Sequence, residues 1–70
     1  MQIDWPRFGT AVAQKRAKSR KGLRRFSYEL GLNHSTLNRV ERGFPCTVEV
    51  FLTLIGALGR SPSYYRKQEL

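Results

Sequence analysis

Apolar residues recur along this chain at helical spacing, in short bursts separated by glycines. Phe8 and Val12 stand four apart with Ala11 beside them and Ser19 on the same face, which predicts a first helix over residues 4–18. Asp4 can cap it, and Pro6 falls in its first turn, where a missing N–H costs nothing. The pattern stops between Ser19 and Gly22, with Gly22 marking the break. Phe26 and Leu30 repeat the spacing in a second helix over residues 23–30, with Arg24 and Arg25 outward and Ser27 small enough for another helix to come close. Gly31 ends that helix in a left-handed conformation that a side chain would resist.

Asn33 caps a third helix over residues 34–42. At about 100° per residue, Leu37, Val40, Thr36 and Glu41 gather on one side; His34, Ser35, Asn38, Arg39 and Arg42 gather on the other, within an arc of about 140°. Gly43 closes this helix and Pro45 prevents its continuation. A fourth helix over residues 48–58 has Thr47 as cap and Gly59 as stop. Its apolar residues cover more than one stripe, so it is expected to be buried on most sides, by its own core or by a second chain. A short fifth helix is expected from Ser61, with Pro62 in its first turn and Tyr64 and Tyr65 packing back, followed by a tail that frays over about residues 66–70. The expected fold class is therefore all-α: one domain over residues 1–70, a compact five-helix bundle without strands.

Composition changes this picture in one respect. A chain of 70 residues buries only about 60% of its unfolded surface, which allows a single small core. Hydrophobic and charged fractions are ordinary, but 13 Lys+Arg against 5 Asp+Glu give a net charge of +8. Such an imbalance concerns partners and not fold, and nucleic acid is the natural polyanion for a basic domain of this size. A membrane span is not expected, because the longest apolar-rich stretch, VEVFLTLIGAL, is too short and contains Glu49. MQIDWPRF lacks the features of a signal peptide, so a cytoplasmic setting is expected. Cys46 is the only cysteine and His34 the only histidine, which excludes an internal disulfide and leaves no usual metal-ligand set. Acid/base and nucleophilic constellations are equally poorly stocked, so no enzyme activity, cofactor or small-molecule ligand is expected.

Two short helices joined by a glycine-containing turn describe a helix-turn-helix. In that motif the first helix crosses the DNA backbone, and the N-terminal residues of the second meet base edges in the major groove. The groove is about 12 Å wide and a helix with its side chains nearly fills it, so an apolar residue on the entering face would meet polar edges. The face made by His34, Ser35, Asn38, Arg39 and Arg42 has none.

The stretch FSYELGLNHSTLNRVERG resembles the helix-turn-helix of the phage repressor and Cro family, also called the XRE family. The likeness runs from about Phe8 to Tyr65 and is tightest at Ser27, Gly31, STLNRVERG and ALGRSP. That family has a small residue where Ser27 stands, a glycine at Gly31, and a Glu-x-Gly after the recognition helix, here Glu41-Arg42-Gly43. It pairs an arginine of the first helix with that glutamate, and Arg16 occupies the matching position. The resemblance implies a lambda-repressor-like fold, with His34, Ser35 and Arg39 reading bases and Asn38 beside them. Arg42 then contacts phosphate, and Asn33 is first a cap that can also touch phosphate. On the blander side, His34 is an exposed first-turn residue, Ser35 a helper of the cap, and Arg39 a solvated cation.

Two departures matter. Leu23 stands where the family commonly has a phosphate-holding glutamine, and Phe44, Pro45, Cys46 and Thr47 replace basic residues. Phosphate grip is therefore expected from the basic run between Lys15 and Arg25, with Arg20, Lys21 and Arg24 foremost. The family implies a homodimer on a pseudo-palindrome with half-sites about 34 Å apart. Phe44, Val50, Leu54, Tyr64 and Tyr65 are the candidate dimer surface. The expected function is a sequence-specific double-stranded DNA-binding transcription regulator, most simply a repressor, of a bacterial cytoplasm or nucleoid or encoded by a phage. The rivals are an antitoxin that represses its own operon, an interaction module that has lost DNA binding, and a nonspecific or RNA binder.

Overall fold

Polar side chains start three of the helices. Asp4 accepts the backbone N–H of Arg7 at 3.1 Å, Asn33 that of Ser35 at 2.8 Å, and Thr47 that of Val50 at 3.3 Å. Each satisfies an amide that the first helical turn leaves unpaired. In the computed structural model, which describes residues 2–67, the elements are α1 (Trp5–Lys18), α2 (Leu23–Leu30), α3 (His34–Glu41) and α4 (Val48–Leu58). A four-residue 3₁₀ turn, Pro62–Tyr65, follows. The described residues are thus helical without strands; Ile3 and Arg66 make one isolated antiparallel bridge. No helix among them is long and apolar enough to cross a membrane.

Three expectations are corrected. The fifth element is a single 3₁₀ turn and not an α-helix, because the bridge at Arg66 pulls the chain into an extended conformation right after Tyr65. In the segment expected to fray, the amide of Lys67 donates to the Gln2 carbonyl at 2.7 Å, just beyond the bond from the Asp4 amide to the Tyr65 carbonyl at 2.8 Å. Residues 68–70 lie outside the described residues. The break after α1 is made by Arg20, which adopts φ 56°, whereas Gly22 is extended at φ −71°. A left-handed non-glycine costs roughly 1–2 kcal/mol; here it lets the Arg20 and Lys21 amides reach the carbonyls of Ala17 and Arg16. Finally, this chain's own core buries α4 on one face only. Phe51, Leu54 and Ile55 point inward, while Val48 is 71% and Leu52 54% exposed.

The core is one cluster of Phe8, Val12, Phe26, Leu37, Val40, Phe51, Leu54, Ile55 and Tyr65. Phe8 is its centre, with ring centroids 4.8 Å from Phe51, 5.2 Å from Tyr65 and 6.0 Å from Trp5. Tilted and edge-to-face pairs of this kind add about 0.5–1.5 kcal/mol each beyond buried area. The closest helix packing is between α1 and α3. A Cβ built on the buried Gly9 would stand 2.2 Å from the carbonyl oxygen of Val40, so α1 meets the end of α3 backbone to backbone.

Gly9→Ala tests that approach. Alanine favours the helix by about 1 kcal/mol, but the clash is with backbone that cannot rotate away. We expect a net loss of about 1–3 kcal/mol in urea denaturation. An unchanged midpoint would mean that α1 and α3 are not held this closely.

Candidate nucleic-acid interface

Leu37 and Val40 turn α3 inward, and Thr36 and Glu41 flank them half-buried. His34, Ser35, Asn38 and Arg39 are all exposed on the outward face. Arg42, also exposed, is the C-cap and not a helical residue, so α3 ends one residue earlier than the sequence predicts. The stop is a Schellman arrangement: the Phe44 amide donates to the Arg39 carbonyl at 3.0 Å and the Gly43 amide to the Val40 carbonyl at 2.9 Å, with Gly43 at φ 93°.

That turn brings Phe44 back under the arginines. The Arg39 guanidinium lies 4.7 Å from the Phe44 ring centroid and that of Arg42 lies 5.6 Å from it. Stacking of this kind is worth about 0.5–1 kcal/mol at an exposed site, enough to bias both side chains toward one orientation. At the other end, Asn33 fixes the first turn beside His34 and Ser35.

Behind α3, Arg16 grips Glu41 with both arms of its fork: Nε donates to Oε2 at 2.7 Å and Nη2 to Oε1 at 2.9 Å. Its Nη1 donates to the Lys21 carbonyl at 3.2 Å, so one side chain joins α1, α3 and the segment leading to α2. The hydrogen bond to Glu41, aided by charge attraction and opposed by burial, raises the Arg16 guanidinium above its ordinary value.

The basic run does not form one patch. Lys21 and Arg25 both donate to the Glu29 carboxylate, Arg25 at 3.1 Å. The Lys21 hydrogen bond first, and that of Arg25 second, hold Glu29 below the usual carboxylate range. Lys21, expected to be foremost in gripping phosphate, is thus already paired with a carboxylate. Arg20 and Arg24 are exposed without an acidic partner among the described residues. Lys15 and Lys18 line a groove on another side of α1.

The candidate dimer residues scatter as well. Leu54 and Tyr65 are 1% and 3% exposed core residues and offer no surface, because the inward stripe of α4 runs through Leu54 and the 3₁₀ turn presses Tyr65 against Phe8. Val50 is half-buried. Tyr64 is exposed but stacks with Arg7 and Arg60, and Phe44 stacks with Arg39 and Arg42. The apolar residues that α4 exposes are Val48 and Leu52.

One residue escaped the sequence reading. Tyr28 is 85% exposed on α2 and lines a cleft of about 220 Å³ with Arg24, Asn33 and His34. Helical spacing could have found it, since Phe26 and Leu30 facing inward leave Tyr28 outward beside Arg24. The chain matches no protein-family model, no curated protein and no solved structure.

Arg16→Met should lower stability by about 3 kcal/mol in urea, because it strands a largely buried carboxylate. A loss below about 0.5 kcal/mol, the scale of an exposed pair, would mean that the fork is not joining the helices.

The Glu29 pair predicts a pH effect of defined sign. A depressed carboxylate contributes stability above its unfolded pKa of about 4.3 and loses it as pH falls through the lower folded value. Below about pH 4, the urea midpoints of wild type and Glu29→Gln should converge. Parallel curves from pH 7 to pH 3 would remove Glu29 from the acid response.

Proposed function

We propose that this chain is a sequence-specific double-stranded DNA-binding transcription regulator, most simply a repressor, in which α2 and α3 act as a helix-turn-helix of the phage repressor and Cro type. One observation carries it: His34, Ser35, Asn38 and Arg39 stand exposed along one face of an eight-residue helix whose other face is core. That face is all hydrogen-bonding and bears no apolar side chain, as a major-groove surface requires.

In this reading α3 enters the groove N-terminus first. His34 and Ser35 meet base edges with Asn38 alongside. Arg39, steadied by Phe44, forks to O6 and N7 of a guanine, a contact worth about 1–3 kcal/mol of discrimination. Arg42, Arg24, Arg20 and the Asn33 cap hold phosphates, and Lys21 joins them only by leaving Glu29. Two copies then occupy a pseudo-palindrome with half-sites about 34 Å apart, meeting through the exposed Val48 and Leu52 of α4.

Selection of bound duplexes from a random pool tests the whole of this. Related half-sites in inverted repeat are the expected result; equal affinity for selected and random duplexes rejects sequence-specific regulation. Within the selected site, Arg39→Ala should weaken binding by about 5–150-fold and relax preference at one base pair. Arg24→Ala should weaken selected and random duplexes alike and make the salt slope shallower by about 0.9. An unchanged slope removes Arg24 from the phosphate contacts.

A further inference from the structure

We infer that Phe44, just past the end of α3, is a positioning residue that sets base discrimination by restricting the Arg39 guanidinium to few orientations; this rests on the reading of α3 as a recognition helix. Phe44 lies outside the core cluster with 40% of its surface exposed, so the fold does not need its ring as a core contact. What the ring meets instead is arginine. The Arg39 guanidinium lies 4.7 Å from the ring centroid and that of Arg42, three residues on, 5.6 Å, both within the distance at which a cation is attracted to a ring face. No carboxylate pairs with either arginine among the described residues, so no ion pair competes with the ring for them.

The backbone holds Phe44 on both sides. Its amide donates to the Arg39 carbonyl at 3.0 Å, inside the turn that Gly43 makes at φ 93°. Pro45 follows, and the proline ring keeps the residue before it out of the helical region. The ring is thus delivered to the last turn of α3 by main-chain geometry, and the residue whose carbonyl takes the Phe44 amide is the one whose guanidinium lies nearest the ring.

Orientation matters more for reading a base than for attraction to DNA. Counterion release rewards positive charge near phosphate whatever way the fork points. Bidentate pairing with O6 and N7 of a guanine needs the fork in the plane of that base. A long side chain free in solvent samples many rotamers and gives up that freedom on docking, so one already restricted by a ring gives up less. Leucine in place of Phe44 keeps apolar bulk and lacks a π face, whereas tyrosine keeps the π face. That pair of variants separates cation–π positioning from apolar contact with a second chain or with a thymine methyl.

The test uses the full chain, a duplex obtained by selection, and the same duplex with the guanine read by Arg39 changed to adenine. The ratio of the two affinities cancels every contact they share. Phe44→Leu should lower that ratio about 2–5-fold, the range of one exposed cation–π contact, and Phe44→Tyr should retain it. In an Arg39→Ala background Phe44→Leu should leave the ratio unmoved, because the ring acts through Arg39. In the free protein the Arg39 side-chain protons should lie upfield through the ring current and lose that displacement in Phe44→Leu. If Arg39→Ala costs no base preference, the recognition-helix reading fails and this assignment with it. If the wild type discriminates through Arg39 while Phe44→Leu keeps the whole ratio, if the loss persists without Arg39, or if the Arg39 protons do not respond to Phe44→Leu, the assignment alone is overturned.

Discussion

An eight-residue helix is too short to persist alone in water, so everything α3 displays depends on how it is held from behind. Leu37 and Val40 supply the apolar anchor and are fully enclosed. Gly9 lets the α1 backbone come against the Val40 carbonyl, and the Arg16 fork seizes Glu41 one residue later. Two adjacent residues of α3 are therefore bound to α1 by unlike means, one by steric closeness and one by directed hydrogen bonds. Because the attachment uses only the rear of the helix, no outward residue has to contribute to it. A helix anchored through its front would have to give up hydrogen-bonding side chains to do so.

Much of this was legible in the sequence, since the features that carry it are local. Helical periodicity and caps gave all four α-helices, with α2 and α4 bounded as the spacing predicts. The outward face of α3 followed from the same geometry. What escaped depended on distant contacts. Gly9 gives no local signal, because its role appears only when Val40 arrives from another helix. The pairing of Gln2 and Ile3 with Arg66 and Lys67 joins the two ends of the described chain, and that is why an expected helix became one turn followed by an extended stretch. The share of the α4 stripe that this chain's own core covers was not legible, because Val48 and Leu52 are as apolar as Leu54 and only packing separates them.

The basic run illustrates a different limit. In one dimension Lys15 to Arg25 is a dense run of charge, yet four environments share it. Arg16 is withdrawn into the fork with Glu41, and Lys21 and Arg25 into Glu29. Lys15 and Lys18 turn to the groove on α1, which leaves Arg20 and Arg24 exposed without an acidic partner among the described residues. A charge count could not anticipate this, since a helix turns about 100° per residue and neighbours in sequence point to different partners.

The same partition bears on how a net charge of +8 is tolerated in so small a body. Clustering all the free cations on one surface would maximise steering toward a polyanion and also self-repulsion in the folded state. Distributing them between the α3 side and the α1 groove lowers the repulsion, because exposed charges separated by more than about 8–10 Å are largely screened at ordinary salt. In both places an aromatic ring lies under two arginines: Phe44 under Arg39 and Arg42, Tyr64 under Arg7 and Arg60. Each ring offers negative potential to both guanidiniums beside it, and its rigidity limits the orientations they sample. Arginines beside a ring thus hold their charge in fewer orientations, which lessens the side-chain entropy that any contact they make has to overcome.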